Sequence, residues 1–257
     1  MNILVLDTET VGQKTERILD LAYKIVKVDM QKKRYETIAT KNFIIGKIYR
    51  NKELLDNCPY MSESKKERYV DLVANRRIKN KSIKQALETL KKDIEKYCVS
   101  YAYAFNSPFD TRIIAQEEEK LNISPTFEIP VYDIREYACE YLATAEYIEY
   151  CKQHEFFTPT QRFISTTAET FSRYIYRNAE YAEAHTALMD VEDEIEILMN
   201  CVRKGCDITQ KGSKIENMPS EKVFTESIIF TTEDGVEQRT FSYHNKRTKN
   251  GITTYYA

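Results

Sequence analysis

The chain has 257 residues, of which 42% are hydrophobic and 30% are charged, a balance typical of a soluble globular protein. This length fits one sizeable domain, or one domain with an appendage, and no apolar run approaches the roughly 20 residues of a membrane span. With 38 basic and 40 acidic residues the net charge is −2, so a nucleic-acid enzyme of this composition must concentrate its positive charge locally.

The cysteines favour a reducing compartment. They show no CxxC spacing, so zinc and disulfide interpretations are weaker than reduced thiols. The N-terminal residues enter an apolar strand at once, which leaves no place for a signal peptide. We therefore expect a cytoplasmic protein without a membrane partner. The cysteines are Cys58, Cys98, Cys139, Cys151, Cys201 and Cys206.

The first predicted element is a buried strand that ends in two acids. The apolar run 2–6 predicts a strand covered on both faces, and Asp7 and Glu9 follow it directly. Since side chains alternate along a strand, both carboxylates leave the same face, roughly 6–7 Å apart. A divalent cation would relieve their repulsion. From this stretch alone, a solvated strand end carrying two acids is an equally good interpretation.

Two further strands are predicted to complete an antiparallel meander with the first. Residues 18–28 alternate apolar and charged in their second half, and residues 35–45 form the partner strand after a short polar turn at 29–33. Short connections favour antiparallel neighbours in the sheet.

Residues 46–81 are polar and basic, with little strand pattern. Tyrosines Tyr60 and Tyr69 lie among the cations, and these residue types serve phosphate contact and base stacking. A solvated polar insertion explains the same composition equally well. The basic cluster is Lys65, Lys66, Arg68, Arg76, Arg77, Lys79, Lys81 and Lys84.

Strands and helices then alternate. Ser82 and Gln85 form a capping-box signature, and the apolar residues that follow recur at helical spacing. Strands are predicted at 99–105 and 129–134 around a helix at 109–121, with further helices at about 135–152, 168–178 and 187–203. This order predicts an α/β fold with a mixed five-stranded sheet flanked by helices.

The pattern changes near residue 207. Strands are predicted at 223–232, 236–243 and 252–256, with hairpin signals at Asp234-Gly235 and Asn250-Gly251. We therefore predict a main domain at 1–206 and a small β appendage at 207–257. Its unpaired edges offer a place for polymerase or homo-oligomer contact.

Two of the later acids have simple structural explanations. Ser107, Pro108 and Asp110 fit a helix N-terminus, in which Asp110 merely caps. His185 and Asp190 are five residues apart and cannot share a face of one helix, unless the helix begins near Thr186 and His185 precedes it. Asp190 otherwise reads as one exposed acid in an acidic run.

Three stretches of the chain occur in an order that favours a different interpretation. They resemble the three motifs of the DEDDh exonucleases, which are related to the proofreading exonuclease subunits of replicative polymerases and to ribonuclease T. The resemblance covers roughly residues 1–203 and implies a ribonuclease-H-like fold. The stretches are Asp7-Thr8-Glu9-Thr10-Val11-Gly12, Asn106-Ser107-Pro108-Phe109-Asp110 and His185-Thr186-Ala187-Leu188-Met189-Asp190.

The resemblance implies a 3′–5′ exonuclease that uses two Mg²⁺ ions, with Mn²⁺ as a substitute, on nucleic acid with a free 3′ end. Asp7 would bridge ions roughly 3.5–4 Å apart, with Glu9 and Asp190 on one and Asp110 on the other. His185 would take the proton from water, a role typical of histidine.

The resemblance also assigns substrate contacts, to Thr10, Val11, Asn106 and Phe109. DNA is the favoured substrate. Two alternatives stay open, an exoribonuclease of the ribonuclease T type and a non-catalytic nucleic-acid or polymerase-docking module.

Several other polar residues are predicted to be structural. His154 and His244 have no motif around them. Asp133 ends a strand and caps the next helix, and the acids at 117–119 form a solvated helix face.

Overall fold

A computed structural model describes residues 1–12, 16–220, 224–232, 235–243, 245–249 and 252–256, with side chains described in the first two ranges. The strands are β1 (Asn2–Val11), β2 (Arg17–Asp29), β3 (Arg34–Ile45), β4 (Lys79–Lys81), β5 (Tyr101–Ala104), β6 (Val131–Asp133), β7 (Phe224–Thr232), β8 (Gly235–Tyr243), β9 (Asn245–Lys249) and β10 (Ile252–Tyr256). The helices are α1 (Gly46–Tyr49), α2 (Lys52–Asp56), α3 (Glu63–Ala74), α4 (Ile83–Lys96), α5 (Ser107–Leu121), α6 (Ile134–Tyr141), α7 (Ala145–Gln153), α8 (Ala168–Tyr176) and α9 (Ala187–Arg203).

The main sheet has the order β4-β3-β2-β1-β5-β6. Strands β1, β2 and β3 form the expected antiparallel meander, and β5 and β6 continue the sheet in parallel with β1. The predicted ribonuclease-H-like mixed α/β fold is confirmed. The sheet has six strands instead of five because the short strand β4 pairs in parallel with the end of β3.

Strand β1 lies inside the sheet, between β2 and β5, and its faces differ. Leu4 and Leu6 join an apolar cluster with Leu87 of α4 and Ile113 of α5. Each such fully buried side chain contributes about 1.5–3 kcal/mol. Helix α9 packs across β1, β2 and β3. This packing fixes the position of the two acids at the end of β1.

The helix starts follow local capping chemistry. Helix α4 begins with the predicted capping box of Ser82 and Gln85. Helix α5 begins at Ser107, two residues earlier than predicted, and the N-cap position is taken by Asn106, which lies in the left-handed region at φ 60°. Its backbone N–H donates to Asp133 Oδ1 at 2.8 Å. Asp133 also caps α6, as predicted.

Residues 46–81 form three helices and the strand β4, and the predicted basic cluster is not one solvated surface. Lys65 is 8% exposed and Tyr69 is 1% exposed, whereas Tyr60 is 76% exposed. Of the two tyrosines, only Tyr60 is therefore free to stack on a base.

The solvated face predicted at 117–119 is wrong for Glu117 and Glu118, whereas Glu119 is exposed. Glu117 is buried and receives Arg17 Nε at 2.8 Å and Lys120 Nζ at 3.0 Å. Glu118 is buried and accepts a hydrogen bond from the backbone of Thr126 at 2.6 Å. Burial is tolerated because each carboxylate has a donor.

The chain divides into two compact units, residues 1–143 with 167–215, and residues 144–166 with 216–257. The first contains the six-stranded sheet. Residues 207–215 belong to it, and Tyr103 donates from its hydroxyl to the Ile208 carbonyl at 2.5 Å. The appendage at 207–257 stays a prediction.

The second unit contains α7 and two hairpins, β7–β8 and β9–β10. The three predicted C-terminal strands correspond to β7, β8 and β10, and β9 was not anticipated. The turn residues Asp234, Asn250 and Gly251 lie outside the described residues, as does His244. The His154 ring stacks on Phe156 with centroids 5.6 Å apart, which fits a structural role.

Two further findings bear on the composition. All six cysteines are free thiols, in agreement with the absence of CxxC spacing. In the described part of the chain, no helix is both long and apolar enough to cross a membrane.

Candidate metal centre

The first acids of the site lie at the end of β1. Asp7 and Glu9 are partly buried, and Thr8 between them is 5% exposed. The pairing of β1 with β2 shifts register between Glu9 and Thr10. Such a bulge twists a strand end and redirects its side chains.

Asp110 is attached to β1 through Thr8. The Thr8 backbone N–H donates to Asp110 Oδ1 at 3.0 Å, and the Thr8 hydroxyl donates to the same oxygen at 2.7 Å. Asp110 is 2% exposed and lies in the first turn of α5. It is therefore not only a helix-capping acid, because its carboxylate is held beside the end of β1.

The third stretch has the geometry that its spacing required. Helix α9 begins at Ala187, so His185 precedes it and Asp190 lies in its first turn. His185 has φ 51°, in the left-handed region, and its side chain is exposed. One ligand atom each from Glu9, His185 and Asp190 lies within 4.8 Å of the others.

Burial and mutual repulsion raise the pKa values of the acids in the site. Burial, followed by the charges of Asp110 and Glu194, raises the pKa of Asp7 well above its usual range. Burial raises the pKa of Asp110 to about 7, although the Thr8 hydrogen bonds oppose this change. Burial and the Glu9 charge raise the pKa of Asp190 to about 9. A divalent cation would reverse these shifts by compensating the negative charge.

The residues present fit a hard divalent cation. Asp190 Oδ1 is buried and receives no hydrogen bond from the described residues. An unpaired buried carboxylate oxygen costs free energy, and Mg²⁺ and Mn²⁺ prefer oxygen ligands of this kind. The cluster of Glu9, His185 and Asp190 therefore offers one place for an ion.

Two acids near the site were missed in the sequence. Glu194 is 3% exposed, and its Oε2 has no hydrogen-bond partner among the described residues. It lies one helical turn after Asp190, a spacing that places both on one face of α9. Glu183 forms a second close group with Glu169 and His185. Burial raises the pKa of Glu183 to about 8.

Asp20 of β2 was also missed, and it joins two parts of the site. It is fully buried, and its Oδ2 accepts the Tyr69 hydroxyl at 3.1 Å and the Ala187 backbone N–H at 3.2 Å. Burial raises its pKa to about 7. Asp20 therefore connects helix α3 to the start of α9. In sequence it resembles an ordinary polar residue of an alternating strand.

Helix α3 brings a positively charged side chain, that of Lys65, to the site. Lys65 Nζ lies 2.8 Å from Glu9 Oε2. Arg68 donates to the backbone carbonyl of Ala184, directly before His185. The helix therefore contacts the first motif and the residue that directly precedes the third.

The four predicted substrate contacts differ in accessibility. Thr10 and Phe109 are half-buried, and Asn106 is exposed. The Val11 side chain is only 1% exposed, which leaves its backbone for contact. The Arg112 guanidinium lies over the Phe109 ring, 5.2 Å from its centroid.

Comparison with known proteins shows distant similarity to solved structures and none to a family model or a curated protein. No protein-family model matches the sequence, and no curated protein matches it. Among solved structures, a full-length 3′-exonuclease is similar, with a TM-score of 0.49 and 10% sequence identity, over 80% of this chain and 83% of that chain.

Proposed function

We propose that the protein is a metal-dependent 3′–5′ exonuclease that releases nucleoside 5′-monophosphates from nucleic acid. One observation carries the proposal. Three separated segments bring Asp7, Glu9, Asp110, Asp190 and His185 to one end of the sheet, where the carboxylates crowd each other. Such crowding is costly unless a cation is bound, and a cation among acids suits phosphodiester hydrolysis.

The acids would bind the metal ions, and the histidine would transfer the proton. Asp7 and Asp110 would hold one Mg²⁺, and Asp7 with Glu9 and Asp190 the other. When bound, the ions neutralise phosphate charge and stabilise the leaving oxygen. His185, whose imidazole is exposed, would accept a proton from the attacking water.

His185 has a second possible role, because the structure groups it with Glu9 and Asp190 as a ligand set. We assign it the role of base. An exposed loop side chain can reach substrate water, and oxygen ligands suit Mg²⁺ better than imidazole does.

The test uses matched 5′-labelled single-stranded DNA, duplex DNA and RNA, each with Mg²⁺ and with EDTA. We expect single-stranded DNA to be degraded fastest, in a Mg²⁺-dependent ladder that shortens from the 3′ end. A 3′ phosphate should block the reaction.

The controls separate the alternatives. Faster degradation of RNA would assign the site to the ribonuclease T type. Binding without hydrolysis of any substrate would favour a docking module. Early release of a labelled 5′-terminal nucleotide would contradict the polarity.

A further inference from the structure

Lys65 occupies an unusual place for a lysine. Its ammonium lies 2.8 Å from Glu9 Oε2, and the two side chains are only 10% and 17% exposed. Lys66, the next residue, instead pairs with Asp56 and Glu63 away from this site, and both of those acids are highly exposed. The chain thus directs one lysine of the pair to the candidate metal centre and the other to the surface.

Helix α3 is held in place independently of this ion pair. Ser62 caps it by accepting the Lys65 backbone N–H at 3.2 Å. Tyr69, one turn later, donates to buried Asp20, and Arg68 donates to the Ala184 carbonyl. The helix can therefore keep its position when the flexible lysine side chain changes partner.

A divalent cation and the Lys65 ammonium compete for the same carboxylate. Two positive groups at contact distance from Glu9 repel each other strongly in a partly buried site. An ammonium is also a weaker partner for a carboxylate than a divalent cation that several acids share. When the metal takes Glu9, Lys65 loses its partner and needs another anion.

The nucleic acid supplies that anion. We propose that Lys65 is a substrate-binding residue, which pairs with Glu9 in the metal-free protein and contacts the phosphodiester oxygens once a divalent cation has taken Glu9. This inference rests on the proposed function, because the phosphate must lie beside the metal. It assigns to Lys65 an effect on metal affinity and an opposite effect on substrate affinity.

The first experiment measures metal binding alone, by calorimetric titration of nuclease-free protein with Mg²⁺. The variant Lys65→Met keeps the length of the side chain and removes its charge, and Lys66→Met is the matched control. We expect Lys65→Met to bind Mg²⁺ about tenfold more tightly, because the competing charge is gone. Lys66→Met and Lys65→Arg should resemble the wild type.

The second experiment measures the binding of a labelled single-stranded oligonucleotide by fluorescence anisotropy, with Ca²⁺ replacing Mg²⁺ to slow cleavage. Lys65→Met should bind the oligonucleotide about tenfold more weakly. The plot of log affinity against log salt should also become less steep, by the amount that about one phosphate contact contributes. Lys65→Arg should restore binding, and Lys66→Met should not change it. Thermal melting of each variant checks that it is folded.

The outcomes are distinct. Tighter Mg²⁺ binding with weaker oligonucleotide binding in Lys65→Met supports the proposal, even if the wild type hydrolyses nothing and the nuclease assignment fails. Unchanged or weaker Mg²⁺ binding by folded Lys65→Met overturns it. Oligonucleotide binding equal to that of Lys66→Met overturns it as well.

Discussion

At the scale of single residues, Asp7 is the acid that the other carboxylates of the site surround. Burial raises the pKa of its carboxyl group, and so do the negative charges of Asp110, Glu194, Glu9 and Asp190. These neighbours are held by β1, α5 and α9, so no acid can move away without disturbing its strand or helix. A cation is the simplest source of compensating charge.

Asp7→Ala should therefore abolish hydrolysis while leaving the fold intact. Removal of one of several repelling acids should leave the Tm of EDTA-treated protein unchanged or higher, since desolvation and repulsion are both relieved. Melting curves and oligonucleotide degradation measure the two effects. Wild-type degradation by an Asp7→Ala protein free of contaminating nuclease would sink the site assignment.

His185→Ala distinguishes a base from a ligand. Loss of a general base should lower the rate by about 10²–10⁴-fold. Mg²⁺ affinity, measured by calorimetry, should stay within about twofold of the wild type if His185 is not a ligand. A large loss of affinity would show that the imidazole belongs to the metal set with Glu9 and Asp190.

At the scale of elements, the site depends on how the start of α9 is attached to the rest of the sheet. Thr186 has no side-chain cap hydrogen bond, and Asp20 from β2 accepts the Ala187 backbone N–H instead. The same carboxylate oxygen accepts from Tyr69 of α3. A single buried side chain thus aligns the helix that carries Asp190.

Asp20→Ala should leave two buried donors without an acceptor and lower the free energy of unfolding by about 1–3 kcal/mol for each. Asp20→Asn retains a carbonyl oxygen and should lose less. Tyr69→Phe, which removes one donor and leaves the other paired, is the matched control. Urea unfolding measures all three, and equal stability of Asp20→Ala and wild type would contradict this role.

At the scale of the whole molecule, stability should depend on pH in a direction set by the raised acids. In metal-free protein the pKa of Asp110 is raised to about 7 and that of Asp190 to about 9, above the ordinary value of about 3.9 in an unfolded chain. The folded state therefore binds more protons between these values. The contribution of these two groups to folding stability is therefore greatest below about pH 4, and it is lost as the pH rises toward 9.

Melting of EDTA-treated protein at pH 5.5 and 8.5 tests this linkage. We expect a lower Tm at the higher pH, and a larger rise in Tm on adding Mg²⁺ there, because ligands must be deprotonated to bind. A Mg²⁺ shift that is equal at both pH values would show that these carboxylates do not hold the ion.

The C-terminal region calls for two truncations. Removal of the chain after Ser220 keeps the buried residues Cys206 and Ile208, and should preserve hydrolysis of short oligonucleotides. It should weaken binding of long substrates, oligomerisation or polymerase contact, if the predicted appendage serves one of them. Truncation after Lys204 removes both buried residues and should lower the Tm. Inactivity of a folded chain ending at Ser220 would show that the appendage helps to form the site.

The sequence by itself determined the meander of β1, β2 and β3 and the start of α4, because alternation and capping are local properties. Motif order also placed His185 before α9 and Asp190 within it. These features depend on neighbours in the chain, so a linear pattern contains them.

Only the tertiary structure decided which other charges face the site. Glu194 and Asp193 are part of an acidic run that looked solvated, yet both are buried. Asp20 lies in an alternating strand and Lys65 in a basic stretch, and neither pattern specifies the partners at positions 187 and 9. Burial and ion pairing depend on which elements pack together, and a linear pattern does not specify that packing.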